Sequence, residues 1–328
     1  MEATKVVLGI DLGGTKTAFG FVNKKGKCYG VKSIPTNSHQ PAKDLVNRIY
    51  NVYSDWINKD KEKYQVVGIG IGAPNGNYFK GTIENPPNLH WGTTNMVELI
   101  ERVFDLQAVL TNDANAAAIG EQKFGAGKNL KNFIVITLGT GLGSGIVVDG
   151  GLVYGHDGFA GELGHMVIRP NGRLCGCGRR GCLETYASVS GIIRTVFELQ
   201  ANLPQDSKLR KIAYHDLDGE QIYKLAEEGD PLALKAFDET TRILGEGLAT
   251  SVAHLSPEAI ILFGGLSLAK EFIFEPTKKY LEENLLTIFK NKVRIIPSAL
   301  PPGDAAVMGA AALMWHEFAL KKDNPKEK

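Results

Sequence analysis

Three of the chain's four cysteines, Cys175, Cys177 and Cys182, fall within eight residues, and His165 precedes them in H-M-V-I-R-P-N-G-R-L-C-G-C-G-R-R-G-C. Thiolate and imidazole are the ligands zinc prefers, and three Cys with one His complete a closed tetrahedral site. The glycines and arginines between them let the backbone turn tightly enough to converge on one ion. Unrelated buried thiols are the alternative, since free cysteine is among the most buried residue types. The segment is glycine-rich and charged, and offers no apolar face for that. With all four positions filled by protein, the zinc is structural and activates no water. Fixing one imidazole nitrogen also fixes what the other can touch. The loop therefore presents Glu162 (in G-E-L-G-H), His165 and Glu184 as a set able to grip a polyhydroxylated ligand, where isolated glutamates would be ordinary surface charges.

Two glycine turns carry a second kind of chemistry. Asp11-Leu-Gly-Gly-Thr15 ends a strand on a carboxylate and follows it with Gly13 and Gly14. Amides in such a turn approach an anion with no Cβ in the way. Asp11 suits Mg²⁺ held through water, and Thr15 offers a hydroxyl to a phosphate. The run L-G-T-G-L-G-S-G from Leu138 has the same character at Thr140 and Gly141. A tight hairpin uses the same residue types, but two such turns in one chain favour phosphate. No G-K-[ST] closes either one, and a strand rather than a helix follows each, so neither a Walker A loop nor a dinucleotide fold fits. In T-N-D-A-N-A-A-A, Asn112 and Asp113 join a strand to a helix. Either can cap that helix. Asp113 also stands at a strand's carboxyl end, where ligands of α/β sheets lie, and there it can serve as general base toward a hydroxyl.

The elements that must position these groups follow from hydrophobic spacing. It predicts strands over 6–11, 18–22, 28–34, 66–71, 108–111, 133–138, 145–148, 259–263 and 293–296. Helices are expected over 42–58, 96–104, 115–123, 189–199, 219–228, 231–254 and 304–320, with further helix between the Gly264-Gly265 turn and 289. The stretch 72–92 is rich in Gly, Pro and Asn and reads as loop. The charged tail 321–328 is expected to fray. V-I-T-L-G-T-G-L-G placed over V-L-G-I-D-L-G-G-T reads as a degenerate internal repeat, which makes two related α/β lobes. A smaller one is expected over 1–113 with 305–328, and a larger one over 114–304 with the zinc loop.

With 43% hydrophobic and 22% charged residues, the chain has ample core for a globular fold. A formal net charge of +1 gives no field for nucleic acid or an anionic membrane. No apolar run suggests a spanning helix, and the short polar start does not read as a signal peptide. Few cysteines, clustered as ligands with Cys28 apart, suit a reducing cytoplasm.

Taken together, the zinc run with G-E-L-G-H, the two phosphate turns and T-N-D resemble the ROK family of sugar kinases and repressors, its bacterial glucokinases most, over 6–312. The resemblance implies an actin-like ATPase fold of two ribonuclease-H-like lobes, with ATP, Mg²⁺ and a hexose bound in the cleft between them. It implies that Asp113 takes the proton from the sugar's 6-hydroxyl, and that Asn112, Glu162, His165 and Glu184 contact the sugar. His165, Cys175, Cys177 and Cys182 match the family's zinc ligands, and Gly264 and Gly265 its adenosine-side turn. The activity so implied is ATP-dependent phosphorylation of glucose. N-acetylglucosamine, N-acetylmannosamine or mannose stand as alternative sugars, polyphosphate as an alternative donor, and a homodimer or homotetramer as the assembly, with the helix over 231–254 as an interface. Asn75, Asn85 and Asn88 are all candidates to bind sugar hydroxyls. A sugar-responsive repressor is the competing class. Its helix-turn-helix arm is not expected ahead of Asp11, nor is a basic footprint present. An actin-like structural ATPase does not call for the zinc and G-E-L-G-H groups.

Overall fold

The computed structural model describes residues 3–60 and 62–323. In chain order the elements open with β1 (Thr4–Leu12), β2 (Lys16–Asn23), β3 (Cys28–Pro35), α1 (Ala42–Asp60) and β4 (Tyr64–Ala73). Three short strands follow, β5 (Gly76–Asn77), β6 (Thr82–Glu84) and β7 (Thr93–Asn95), then α2 (Met96–Phe104), β8 (Ala108–Asn112) and α3 (Asp113–Phe124). Next come β9 (Phe133–Leu138), β10 (Leu142–Val148), β11 (Gly151–Leu152), α4 (Val189–Asn202), α5 (Gly219–Glu227) and α6 (Pro231–Leu255). The chain closes with β12 (Ala259–Phe263), α7 (Phe274–Asn284), β13 (Arg294–Pro297) and α8 (Ala305–Asp323). Two compact units result, one within Met1–Asn129, Leu152–Ala160 and Ala299–Lys328, the other Leu130–Gly151 with Gly161–Ser298.

The first unit is a five-stranded sheet in the order β3-β2-β1-β4-β8. The first three strands pair antiparallel, and β1, β4 and β8 run parallel. Val6, Val7, Leu8, Ile10 and Leu12 of β1 are all buried, the continuous apolar run of a strand covered on both faces. Leu45, Val46 and Ile49 of α1 join the same core cluster as Leu8, Ile10, Ile69 and Ile71. On α8, Val307 and Ala310 to Met314 are buried, and the helix lies almost backbone-to-backbone on the sheet. A Cβ on Gly70 would sit 1.9 Å from the carbonyl oxygen of Ala310, and one on Gly9 2.1 Å from that of Val307. Glycine in these two strands is therefore a packing requirement, and β1 and β4 could not otherwise bear a helix so close.

The second unit repeats the plan. Its sheet order is β11-β10-β9-β12-β13, with β9 and β10 antiparallel and β9, β12 and β13 parallel. The glycine turn again joins the central strand to its antiparallel neighbour, so the internal repeat read in the sequence is matched in topology. Helix α6 begins at Pro231, with the Asp230 carboxylate accepting from the amides of Leu232 and Ala233, a well-capped start with proline where its missing N–H costs nothing. A Cβ on its Gly245 would lie 2.7 Å from the Leu281 amide of α7. Helix α6 buries most of its apolar residues inside its own unit, against α4 and α7.

Three expectations are corrected. The loop 72–92 contains β5 and β6, which with β7 just beyond it form a small antiparallel sheet whose two- and three-residue strands are too short to show alternation. Strand β10 starts at Leu142, three residues early, because Gly143 and Gly145 sit inside a strand. The first unit reaches beyond 113, to Asn129, and also takes in Leu152–Ala160. Helix α3 stays with it because Gly120 packs on Gly309 of α8, where a Cβ would come within 2.9 Å of the Gly309 Cα. The segment Leu152–Ala160 stays with it because Tyr154 stacks on Tyr78 at 4.2 Å and the Asn77 side chain donates to the Asp157 carbonyl at 2.8 Å. Of the tail expected to fray, 324–328 lies outside the described residues, as do 1 and 2 of the first lobe; Lys321 is still within α8.

Gly70→Ala tests the close approach of α8. It should lower the unfolding free energy by about 1–3 kcal/mol, the usual cost of overpacking. Urea unfolding followed by circular dichroism reads this, and a midpoint equal to wild type would contradict the packing.

Candidate active site

In the first unit, the register of three parallel strands brings the acidic groups to one edge of the sheet. Asp11 pairs with Gly72 of β4, and Ala73 of the same strand pairs with Asn112 of β8. Asp11 and Asn112 therefore stand at the carboxyl ends of β1 and β8, the two strands that flank β4, and Asp113 follows directly at the start of α3. The turn after Asp11 is closed by the Gly13 amide donating to the Lys16 carbonyl at 3.1 Å. The Thr36 hydroxyl donates to the Gly13 carbonyl at 2.6 Å, and the Thr36 amide to the Thr15 carbonyl at 2.8 Å. Gly14 faces Asn88, where a Cβ would lie 2.7 Å from the Asn88 Cβ. The hairpin reading of this turn is thus correct as geometry, and it coexists with any anion-binding role.

Asn112 is the N-cap of α3, its side-chain oxygen accepting from the Ala114 amide at 2.8 Å. The Asp113 carboxylate accepts from the same amide at 2.8 Å. Asp113 retains solvent access while sitting in a recess. Burial there raises its carboxyl above the ordinary value, against the lowering by the backbone N–H groups of Ala114 and of Asp113 itself. Asp11 is pushed up to about 6, first by burial and then by the charge of Asp113. Among the described residues neither carboxylate has a Lys, Arg or His ion pair.

Of the three candidate asparagines, two are turn residues. Asn75 and Asn85 take left-handed backbone, φ 51° and 44°, a conformation that asparagine tolerates better than most residues. The Asn75 amide nitrogen is spent on the Glu84 and Asn85 carbonyls at 3.0 and 3.2 Å. Asn88 alone lies against the glycine turn.

In the second unit, His165, Cys175, Cys177 and Cys182 come together, one ligand atom from each lying within 4.8 Å of all the others. Cys177 Sγ is 3.7 Å from Cys182 Sγ, and Cys175 Sγ is 3.6 Å from His165 Nδ1. A tetrahedral zinc with bonds of about 2.3 Å separates its sulfur ligands by about 3.7 Å, so the donor set and its spacing fit zinc. Burial and the Glu184 carboxylate push the Cys175 thiol up. At Cys177 burial raises the thiol, but the Arg179 amide and guanidinium together with Cys175 and Cys182 bring it down to about 6. With Nδ1 turned to the sulfurs, His165 Nε2 faces Glu162 at 3.9 Å.

Glu184 lies between this cluster and the second glycine turn. One oxygen is 3.0 Å from Cys175 Sγ and 3.6 Å from His165 Nδ1; the other accepts from the Leu142 amide at 3.4 Å. A Cβ on Gly141 would meet that second oxygen at 2.8 Å. The G-E-L-G-H turn is seated on β10, since Gly164 passes so close that a Cβ would lie 2.0 Å from the Leu142 carbonyl oxygen. The Ser144 hydroxyl donates to the Gly161 carbonyl and accepts from the Leu163 amide. Thr140 is held through its carbonyl by the Ser190 hydroxyl at 2.6 Å. Gly264 has φ 101° and packs on the end of β9, where a Cβ would come within 2.8 Å of the Leu138 carbonyl oxygen, while Gly265 beside it faces open space. Spacing alone gave no sign of Ser144, which braces the G-E-L-G-H turn.

The fold and the sequence agree with known proteins along nearly their whole length. The chain is 34% identical to the glucokinase of Streptomyces coelicolor over 314 residues, 94% of this chain and 97% of that one. Its structure matches that of a ROK family glucokinase from Streptomyces griseus, solved with glucose and AMPPNP, at a TM-score of 0.80 and 33% identity over 94% and 98% of the two chains. A ROK family transcriptional regulator, homologue of the Escherichia coli MLC protein, matches at 0.85 and 27% identity over 95% of this chain and 78% of its own. The fold is that of the actin-like ATPases, and the protein is a sugar kinase of that class. Residues 7–317 match the ROK family, to which the chain belongs.

Asp11 supplies a stability test. Its carboxyl holds a proton more tightly folded (about 6) than unfolded (3.8). Its stabilising contribution is therefore complete below the unfolded value and lost as pH rises through about 6. Asp11→Asn should stabilise the protein at pH 8 by about 1–2 kcal/mol, less than the full equivalent of the shift because the side chain keeps some water. Near pH 4 the gain should vanish. Urea unfolding at both pH values decides, and a gain that does not depend on pH would refute the cause given.

Proposed function

We propose that the protein is a glucokinase that transfers the γ-phosphoryl group of ATP to the 6-hydroxyl of glucose, with Asp113 as general base. The observation that carries this is the state of Asp113. It is a solvent-reaching carboxylate at a strand's carboxyl end, without a cationic partner among the described residues, and raised by burial toward the range where a base works at neutral pH. A carboxylate paired with Arg or Lys would be pulled the other way.

In this reading Asp113 accepts the proton of the 6-hydroxyl as that oxygen bonds to the γ-phosphorus, and the bond from phosphorus to the β–γ bridging oxygen breaks to release ADP. Asn112 uses its amide nitrogen on the sugar while its oxygen stays on the helix cap. Glu162, His165 and Glu184 take further hydroxyls. The amides of Gly14 and Gly141 and the hydroxyls of Thr15 and Thr140 serve the phosphates, with Gly13 shaping the first turn, and Gly264 and Gly265 serve the adenosine side. Asp11 would hold Mg²⁺, which when bound would neutralise phosphate charge beside the two neighbouring carboxylates. Zinc on His165, Cys175, Cys177 and Cys182 supplies rigidity to the loop of Glu162 and Glu184. The 34% identity with a glucokinase supports glucose as the substrate. The match to a transcriptional regulator favours a second reading, in which the same groups bind a sugar without transfer.

An ATP-consumption assay with Mg²⁺ and glucose, mannose, N-acetylglucosamine or N-acetylmannosamine separates these readings. Glucose should be the best substrate, and Asp113→Asn, which retains a helix-capping side chain, should lower kcat by about 100- to 10,000-fold. Preference for an acetamido sugar would move the substrate and leave the mechanism standing. No turnover on any sugar with the metal site loaded would favour the binding-only reading.

Removal of zinc by a chelator should raise the glucose KM by about tenfold, the scale of lost support around a site, and added zinc should restore it. Unchanged glucose binding by metal-free protein would count against a role for the loop.

A further inference from the structure

The loop that carries the metal ligands is tied down a second time, by Arg173, through bonds that use none of the four ligand side chains. The Arg173 side chain is only 7% exposed, and all its donor groups are engaged. Nε and Nη2 meet the two carboxylate oxygens of Glu198 at 2.8 and 2.5 Å. Nη1 donates to the carbonyls of Thr185 and Gly191 at 2.7 and 3.1 Å, and Nη2 also to the Thr195 hydroxyl at 2.9 Å. The guanidinium lies 4.4 Å from the centre of the Tyr186 ring, and the Tyr186 hydroxyl accepts from the Arg173 amide at 3.1 Å.

These partners fall into two groups. Gly191, Thr195 and Glu198 belong to α4. Thr185 and Tyr186 directly follow Glu184. The Thr185 carbonyl ends the short helical turn Leu183–Thr185, one of the end groups a helical turn leaves without an internal partner. Arg173 closes it against α4. The Ser188 hydroxyl, at the N-cap of α4, holds the Glu184 carbonyl itself at 2.7 Å. Behind the turn, a Cβ on Gly247 of α6 would lie 2.8 Å from the Leu183 side chain. The backbone under Glu184 is thus bolted to helices.

We propose that Arg173 is a positioning residue for Glu184, holding that carboxylate in place independently of the metal. The sugar-gripping set then has two supports, the metal for the loop and Arg173 for the backbone that carries Glu184. This rests on the assignment of Glu184 to the sugar. Lysine cannot replace it, because a single ammonium cannot span both Glu198 oxygens and two carbonyls.

The test compares wild type with Arg173→Lys, the milder Glu198→Gln, and Glu184→Gln. Each is measured for zinc content, for the absorption spectrum of the cobalt-substituted protein, and for kcat and KM with the best sugar of the panel. Arg173→Lys should keep one zinc per chain and an unchanged cobalt spectrum. Its sugar KM should rise by about tenfold, with kcat within about threefold. Glu198→Gln should move KM the same way by less, and it carries the test if Arg173→Lys does not fold. A KM within about twofold of wild type in both, while Glu184→Gln raises it, overturns the proposal. Loss of zinc in step with the rise in KM overturns it too, since Arg173 would then act through the metal. A KM unmoved by Glu184→Gln removes the assignment of Glu184 to the sugar, and the proposal falls with it.

Discussion

Two carboxylates of like charge, Asp11 and Asp113, are held as neighbours at the ends of parallel strands, and much of the first unit serves to keep them there. Burial and the neighbouring charge of Asp113 both oppose ionisation of Asp11, and its recess opposes that of Asp113. Rigidity comes from backbone contact. Gly9 and Gly70 let α8 rest on β1 and β4 with no side chain between, and Gly120 with Gly309 does the same between α3 and α8. A frame assembled from side-chain contacts alone would have more rotamers in which to yield. Asn112 adds a local lock, since its cap on α3 fixes the backbone from which Asp113 projects. The strain of holding two acids together fits a group kept ready for a cation and a proton, which is where function and stability pull in opposite directions.

The second unit solves a different problem with the same topology. Its glycine turn carries no acid in its own sequence, L-G-T-G-L-G-S-G. Glu184 comes in from the metal loop instead, against Gly141 and the Leu142 amide. That carboxylate also approaches Cys175 and His165, so one side chain links the metal cluster to the turn. A loop rich in glycine has no core to hold it. Its place is fixed by polar ties, Ser144 on Gly161 and Leu163, Arg173 on Thr185, and by the close seating of Gly164 on β10.

What the sequence made legible and what it hid divide along one physical line. The Cys/His cluster was readable because three of its members lie within eight residues and their chemistry is narrow. The junction at Asp113 was readable because a strand end and a helix start meet there. Strands of five or more apolar residues, such as Phe133–Leu138 and Ala259–Phe263, and the amphipathic helix Met96–Phe104 emerged at their observed bounds. Asn77, Tyr78 and Tyr154 were not visible as a set. Asn77 bonds a carbonyl 80 positions away, and Tyr78 a carboxylate 239 positions away, and no spacing rule spans such distances. Their bonds are what carry Leu152–Ala160 into the first unit, so the domain bounds were missed for the same reason. The strands of the 72–92 region were too short to alternate, and only their turn residues, Asn75, Gly81 and Asn85, left a trace through positive φ.

The two turns, alike in sequence, therefore differ in what they leave free. In the first, Gly13 spends its amide on the Lys16 carbonyl, and the acid is Asp11 within the turn itself. In the second, Gly139 spends its amide on the Gly141 carbonyl and Leu142 directs its own toward Glu184. Each turn thus commits one amide to its own closure, and the second leans a further one on a carboxylate that also reaches the metal cluster. An anion arriving at the second turn would compete with Glu184 for that amide.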